Sequence, residues 1–521
     1  MADGVMESKP TVVVVGAGLA GLAAASKLVK SNKFNVKVLE AADRAGGRVN
    51  TSWNLCLKSD DFPVEVGANW IHGTRGNPVF EFAKKHKLLK KKSFGLSFSP
   101  EGEWFNYSSE EIYFTEKGEV VSPKIVKKVA KIFKKLSKKY NAYYEGKVSL
   151  DPSVSLGEVL DKDFAEEIKK LKLSEQDQQQ MLNVVEWVKK VECIDNACNS
   201  VSDISLLYFG QYEVLSGSYY TELGKGGYIS VINSLLATIP ETDMSLNKEV
   251  KCVHLNGVKG DNPTDHDGSN VKGQRVSIEC HDGDWIDADH VLMTCSLGYL
   301  KKNSTTLFKP ELPQQKAEAI RKMGFGTVDK IFLQFAKPFW DKDIEGLHFI
   351  WDVPKLSVHK RESQAAVNET EQGVDLKDSW FRKISGFEAV SDNHERVLIG
   401  WIFGKEAEYM ETLDEKEVVE TCVRLLGEFT GKEIPKVEKF LISRWNSNPY
   451  ICGSYSHFAV GSEGSDQLNL FEPLYSVDDN NKQIPQVLFA GEATSEQFIS
   501  TTHGAFSSGK READRLINYY K

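Results

Sequence analysis

Gly16, Gly18 and Gly21 in the run VVVVGAGLAG, with Glu40 closing the next apolar run NVKVLE, have residue types and spacing that suit one kind of chemistry. Glycines at these intervals let the backbone approach a pyrophosphate at a helix N-terminus, and an acid roughly 20 residues further on can accept hydrogen bonds from a ribose. Glycine triplets also occur in ordinary tight turns, so the flanks decide. The four valines read as a buried parallel strand and LAGLAAASKLV as a closely packed helix, which makes the unit a dinucleotide-binding strand, turn, helix and second strand.

Three further clusters suit a bulky cofactor. Arg44, Gly46, Gly47 and Arg48 in ADRAGGRVNT follow Glu40 directly. Arginine pairs with diphosphate oxygens in a bidentate way, although alone the motif would be a glycine turn with two solvated arginines. VEVGANWIHG, residues 64–73, reads as a strand ending in glycine with Trp70 and His72 just beyond, and VLFAGEATSEQFISTTHGAFSSGKREADRL sets Glu492 after a strand and before a helix led by Thr502. Together these point beyond NAD. Lys330, at the start of the apolar strand GTVDKIFLQF, is by type a surface residue, and a buried lysine there would be unusual. A single histidine such as His72 is most often a hydrogen-bonded structural residue.

The elements that must carry these residues need more than one core. A chain of 521 residues suggests two or three domains, and 41% hydrophobic with 27% charged residues is ordinary for a globular protein. The net charge of -9 argues against a nucleic-acid binder and suits a cationic ligand. Eight cysteines without a CxxC pair indicate neither a zinc site nor a disulfide framework, so no metal is expected. The apolar stretch Thr11 to Val29 has no basic region before it and carries phosphate-turn glycines, which excludes a signal peptide or membrane span. The C-terminal INYYK has neither a hydrophobic tail nor an SKL-type address, and the expectation is a cytoplasmic enzyme, with the nucleus open.

Residues Lys124 to Tyr140 place Ile125, Val129, Ile132, Phe133, Leu136 and Tyr140 on one face and lysines on the other, an amphipathic helix for packing on a second domain. Ser174 to Glu192 reads as another helix, and Lys225 to Ile239 as a glycine entry into a third. Strands follow in VKCVHLNG, QRVSIECHDG and WIDADHVLMTCS, with Asn256 to Gln274 as a surface hairpin tip. Asp329 to Phe335 and Val397 to Phe403 suggest a second sheet, and Leu488 to Ala490 begins a final strand and helix. This order fits two interleaved, discontinuous domains.

In GAGLAG, Glu40 with RAGGR, GANWIHG, GFGTVDKIFLQF, GWIFGKEAEYMETL, RWNSNPYICGSYS, and LFAGEAT with STTHGA, the chain resembles the FAD-dependent polyamine oxidases of the flavin amine oxidase family over nearly its whole length. The resemblance implies an α/β fold in which a Rossmann-like FAD-binding domain (1–90, 222–300 and 455–521) is interleaved with a mixed-sheet α+β substrate-binding domain (91–221 and 301–454). It implies that Gly16, Ala17, Gly18, Ala20 and Gly21 line the diphosphate, Glu40 binds the ribose and Arg48 the phosphates. Gly67, Ala68, Asn69 and Trp70 would lie beside the isoalloxazine, Val250 would hold the adenine through its backbone, and Gly491 with Glu492 would face the ribityl or diphosphate portion. Thr501 and Thr502 would start a helix aimed at the flavin, whose dipole favours negative charge on the reduced ring by roughly 0.3 to 2 kcal/mol.

Chemistry is implied for two residues: Lys330 would hold a water against flavin N5, and His72 would orient the substrate by hydrogen bonding. Ser454, Tyr455 and Ser500 resemble substrate walls, and Glu192, Asp195 or Glu213 could receive a distal ammonium. The reaction would pass a hydride from a carbon beside a neutral secondary amine to flavin N5. The imine would hydrolyse to an aldehyde and a shorter amine, and oxygen would be reduced to peroxide. Ser454 stands where monoamine oxidases carry their flavin-linked cysteine, so FAD would be noncovalent. The implied partners are a polyamine and oxygen, with no nucleic acid, no membrane and a monomeric chain. Monoamine oxidation, L-amino-acid oxidation and a non-catalytic FAD scaffold are the alternatives.

Overall fold

The computed structural model describes residues 9–56, 62–90, 110–255, 276–354, 375–390, 396–477 and 481–521. One six-stranded sheet is built from β1 (Thr11–Val15), β2 (Asn35–Leu39), β6 (Met244–Ser245), β10 (His290–Met293), β19 (Leu474–Val477) and β20 (Gln483–Phe489), in the order β19-β20-β10-β1-β2-β6. All its pairings are parallel except that of the edge strand β19. Strand order reverses between β1 and β10, and in such sheets ligands bind in the crevice at the carboxyl ends beside that reversal. Val12, Val13 and Val14 are fully buried, as an inner parallel strand covered on both faces requires.

A four-stranded sheet joins β7 (Val250–His254), β8 (Val276–Cys280), β9 (Trp285–Ala288) and β11 (Phe308–Lys309) in the order β11-β7-β8-β9. A second six-stranded sheet, of mixed direction, has the order β17-β13-β16-β15-β14-β5. Its strands are β5 (Glu111–Thr115), β13 (Val328–Phe335), β14 (Gly346–Ile350), β15 (Gly386–Ala389), β16 (Val397–Phe403) and β17 (Val437–Ile442). Among the described residues, two short ribbons complete the set: β3 (Thr51–Ser52) with β4 (Val64–Glu65), and β12 (Gly324–Gly326) with β18 (Tyr455–His457). The chain is thus mixed α/β.

The expected elements lie close to the observed ones. The amphipathic helix runs Pro123–Tyr144 and buries all six residues of its apolar face. The next expected helix is Glu175–Asn196, where Ser174 caps the first turn by accepting from the Asp177 N–H. The glycine-led segment narrows to Ile229–Leu236. WIDADHVLMTCS splits between β9 and β10, which belong to different sheets, and Asp289 at the break accepts from the Thr11 N–H at 2.7 Å. The hairpin tip at Asn256 to Gln274 lies outside the described residues. All eight cysteines are free thiols.

The first helix, Leu19–Ser31, and the last, Thr502–Tyr519, cross at backbone distance. A Cβ on Gly509 would stand 2.0 Å from the carbonyl oxygen of Ala20. On β13 every residue from Val328 to Phe335 is buried, so Lys330 is held inside the mixed sheet and not at a frayed strand end.

Candidate functional site

Gly16 ends β1 with φ +103°, and its N–H donates to Leu39 O at 2.8 Å. A Cβ there would meet Thr294 Oγ1 at 2.6 Å, and one on Gly21 would meet Gly16 O at 2.0 Å, so the fold itself needs both glycines. Gly18 differs. Nothing stands within 4 Å of where its Cβ would be, so the helix N-terminus opens on empty space at that point. Glu40 is buried and braces the turn, accepting from the Ala17 N–H at 2.7 Å and the Ala42 N–H at 2.9 Å. A carboxylate has about four acceptor positions, so two backbone donors leave it room for a ribose hydroxyl.

Arg48 and Glu492, both expected at the cofactor, hold each other. Arg48 Nη1 donates to Glu492 Oε1 at 2.8 Å and to Ser454 O at 2.8 Å, so this nitrogen is committed to protein oxygens and not left for phosphate. Glu492 also accepts from the Ser456 hydroxyl at 2.5 Å and the Ser500 N–H at 3.0 Å. The Gly491 N–H donates to Ser508 Oγ at 3.0 Å. Thr501 caps the last helix by accepting from the Gly504 N–H at 2.9 Å, and Thr502 Oγ1 meets the Tyr228 hydroxyl at 2.7 Å.

These parts face a cavity of about 2070 Å³. Its lining includes Gly16, Gly18, Ala20, Glu40, Arg48, Gly67, Ala68, Asn69, Val250, Gly491, Glu492, Thr501 and Thr502 together with Trp70, His72, Lys330, Ser454, Tyr455 and Ser500; Ala17 and Gly21 support the turn from behind. Single-ligand pockets run to about 1,000 Å³, so this one has space for a dinucleotide and a second molecule.

Lys330 Nζ donates to Glu65 O at 2.9 Å, to Gly67 O and to Asn69 Oδ1, and stands 4.7 Å from the centroid of the Trp401 ring. Burial disfavours its charge and brings its pKa down to about 7, even with Glu65 and Glu388 nearby to favour the cation. Burial likewise lifts Glu65 and Glu388 to about 7. The amine is thus held against the GANW loop by three oxygens.

His72 Nδ1 lies 3.0 Å from Tyr219 O, a group that can only accept, so Nδ1 carries the hydrogen and Nε2 keeps a lone pair. Burial lowers its pKa to about 4, which keeps the ring neutral. Trp70, Tyr219 and Tyr220 surround it at centroid distances of 6.4, 4.3 and 6.1 Å, and Trp401 stacks on Trp70 at 6.4 Å.

Of the acids expected to meet a distal ammonium, Glu192 and Asp195 line the cavity. Glu192 is raised to about 8, first by burial and then by Asp195, and Asp195 to about 7, first by burial and then by Glu388. Glu213 is exposed and lies outside the cavity lining, because its loop points it to solvent. Ser454 lines the cavity and also braces the sheet. Its hydroxyl accepts from the Val328 N–H at 2.8 Å and donates to Val328 O at 2.9 Å, which secures β13. Tyr455 lines the cavity with its hydroxyl donating to Ile194 O, and Ser500, in the left-handed region at φ +69°, donates to Ser456 O. Sequence reading missed Glu388, Trp401, Tyr219 and Tyr220; an acid inside the apolar GFEAV was the available signal for the first.

The family model of flavin containing amine oxidoreductases matches residues 19–517. The chain belongs to this family. Being a flavin-containing amine oxidoreductase, it uses FAD, and the open space at Gly18, the braced Glu40 and the roomy cavity fit that cofactor. It is similar to the peroxisomal N(1)-acetyl-spermine/spermidine oxidase of Homo sapiens, 38% identical over 520 residues that cover 98% of this chain and 95% of the relative. It is 37% identical over 517 residues to the Bos taurus protein of the same name, with the same coverage. It is 30% identical over 580 residues to probable polyamine oxidase 5 of Arabidopsis thaliana, with 99% of each chain covered. The two mammalian names overturn the cytoplasmic expectation. That reading rested on the lack of a terminal address, and an address is read by a receptor without being part of the fold. Among the described residues, no helix is long and apolar enough to cross a membrane.

Proposed function

We propose that this flavin amine oxidoreductase oxidises a secondary amine of spermine or of an N1-acetylated polyamine, with oxygen as final acceptor, giving an aldehyde, a shorter amine and hydrogen peroxide. The observation that carries the reading is the convergence, in one cavity with the dinucleotide cradle, of a neutral histidine, a lysine brought down to about 7 and three cavity-lining carboxyls of raised pKa, the buried Glu192, the half-buried Glu388 and Asp195, which is open to solvent. The names of the relatives support the polyamine class and a peroxisomal setting.

FAD, when bound, supplies the two-electron acceptor and is returned to its oxidised form by oxygen. The residues of the chain do the rest. His72 Nε2 accepts the N–H of the reacting amine, which orients its lone pair and the carbon beside it. The three carboxyls ionise when a substrate ammonium enters beside them, and they fix the far end of the substrate. Trp70, Trp401 and Tyr220 exclude water and offer aromatic faces to the cation. Above about pH 7 Lys330 Nζ has given up one of its three hydrogens, keeps two of its oxygen contacts, and its lone pair takes a proton from the water that hydrolyses the imine. The proposed partition places the cradle in 1–90, 222–300 and 455–521 and the carboxyls in 91–221 and 301–454. FAD is proposed to be noncovalent and the enzyme a monomer.

Heating the purified protein should release a yellow ligand, and a panel of spermine, N1-acetylspermine, N1-acetylspermidine, spermidine, a monoamine and an L-amino acid should yield peroxide with polyamines. A yellow protein that gives no peroxide with any polyamine would sink the reading.

A further inference from the structure

A second chemical cluster lies outside the cavity, on the four-stranded sheet. Cys252 and Glu279 are direct partners in the antiparallel pairing of β7 with β8, and His254 is two residues along β7, so the three side chains share one face. A bulge between Val250 and Cys252 sets Lys251 beside Cys252 opposite the same Glu279. The thiol, imidazole and carboxylate ligand atoms all lie within 4.8 Å of one another. His254 Nε2 is 3.2 Å from Glu279 Oε2, close to the roughly 3.3 Å edge between nitrogen and oxygen ligands of a tetrahedral zinc ion.

The surroundings orient these groups. Glu279 Oε1 accepts from Lys251 Nζ at 2.6 Å, which turns Oε2 toward His254, and the His254 ring packs on Trp285 at 4.9 Å. Cys252 is buried while His254 and Glu279 are partly exposed, which leaves a side open to solvent.

We propose that Cys252, His254 and Glu279 bind one Zn²⁺ ion, with water as the fourth ligand. One thiolate, one imidazole and one carboxylate favour Zn²⁺ over Mg²⁺ or Ca²⁺, which prefer all-oxygen sites. Binding forms the Zn–S bond as the Cys252 thiol gives its proton to solvent, so one proton leaves per ion bound. The cluster has one cysteine and takes its third ligand from another strand, so it leaves no CxxC pattern in the sequence.

The test uses the FAD-loaded full chain, stripped with chelator and titrated with Zn²⁺ by calorimetry in two buffers of different ionisation enthalpy. One equivalent should bind with release of about one proton. Cys252→Ser should abolish the proton release and, like His254→Gln, weaken binding at least about tenfold, while Cys56→Ser leaves it unchanged. The bound-flavin spectrum shows that each variant is folded. No bound equivalent, or wild-type binding by Cys252→Ser, would overturn the site.

Discussion

Lys330 shows how one buried group links pH to both rate and stability. Its pKa is brought to about 7 from an ordinary 10.5, so between those values the unfolded chain holds a proton that the folded chain has released. This contribution makes the fold more stable as pH rises through that window, and the burial penalty is complete below about 7. The proton-accepting form appears over the same lower edge. Lys330→Met should keep its flavin spectrum, slow turnover by roughly 10²-fold, and remove a limb near pH 7 from the kcat profile; an unchanged profile would take Lys330 out of the mechanism. His72 should contribute no limb between pH 5 and 8, since its ring stays neutral there. Glu388→Gln and Asp195→Asn should each raise KM for spermine by roughly tenfold, the order of one charged hydrogen bond, with kcat changed less. Steady-state kinetics would decide, and equal effects on both constants would count against simple ammonium binding. Glu40 was legible because its distance from the glycines is part of a local motif. Glu388 and Trp401 were not, because they reach the site only through the neighbouring strands β15 and β16.

At the scale of elements, the opening strand, turn and helix could be read from residue types alone, and so could the apolar face of Pro123–Tyr144. Both are set by spacing within a single segment. The roles of Arg48 and Ser454 were not legible in that way. Their partners, Glu492 and Val328, lie far away in sequence, and the four residues meet only where β13, the GEAT turn, the RAGGR loop and the CGSYS segment converge. The crossing of the first and last helices carries its own test. Gly509→Ala pushes a methyl toward Ala20 O without adding an atom to the cavity, and should lower the stability of the FAD-loaded protein by about 1–3 kcal/mol. Thermal melting would show it; a melting temperature equal to wild type would mean that the helices can separate freely.

Across the whole molecule, charge and cavity act together. The net charge is -9, and Glu110, Glu111, Asp341, Asp343 and Glu345 add acids to the cavity lining. A polycation should therefore be drawn in by the protein's field, and salt should screen that attraction. kcat/KM for spermine should fall with rising ionic strength more steeply than for an N1-acetylated polyamine of lower charge; parallel slopes in stopped-flow flavin reduction would argue that steering is absent. The cradle also separates two properties that are usually lost together. Gly16 and Gly21 are demanded by neighbouring atoms of the chain, whereas the position of a methyl on Gly18 is vacant and its backbone, at φ -73°, suits any residue. Gly18→Ala should therefore subtract the coenzyme while sparing the architecture, a loss of flavin absorbance with unchanged circular dichroism. The product would be an intact apoprotein, a living cell's control for every effect of this chain that does not depend on making peroxide.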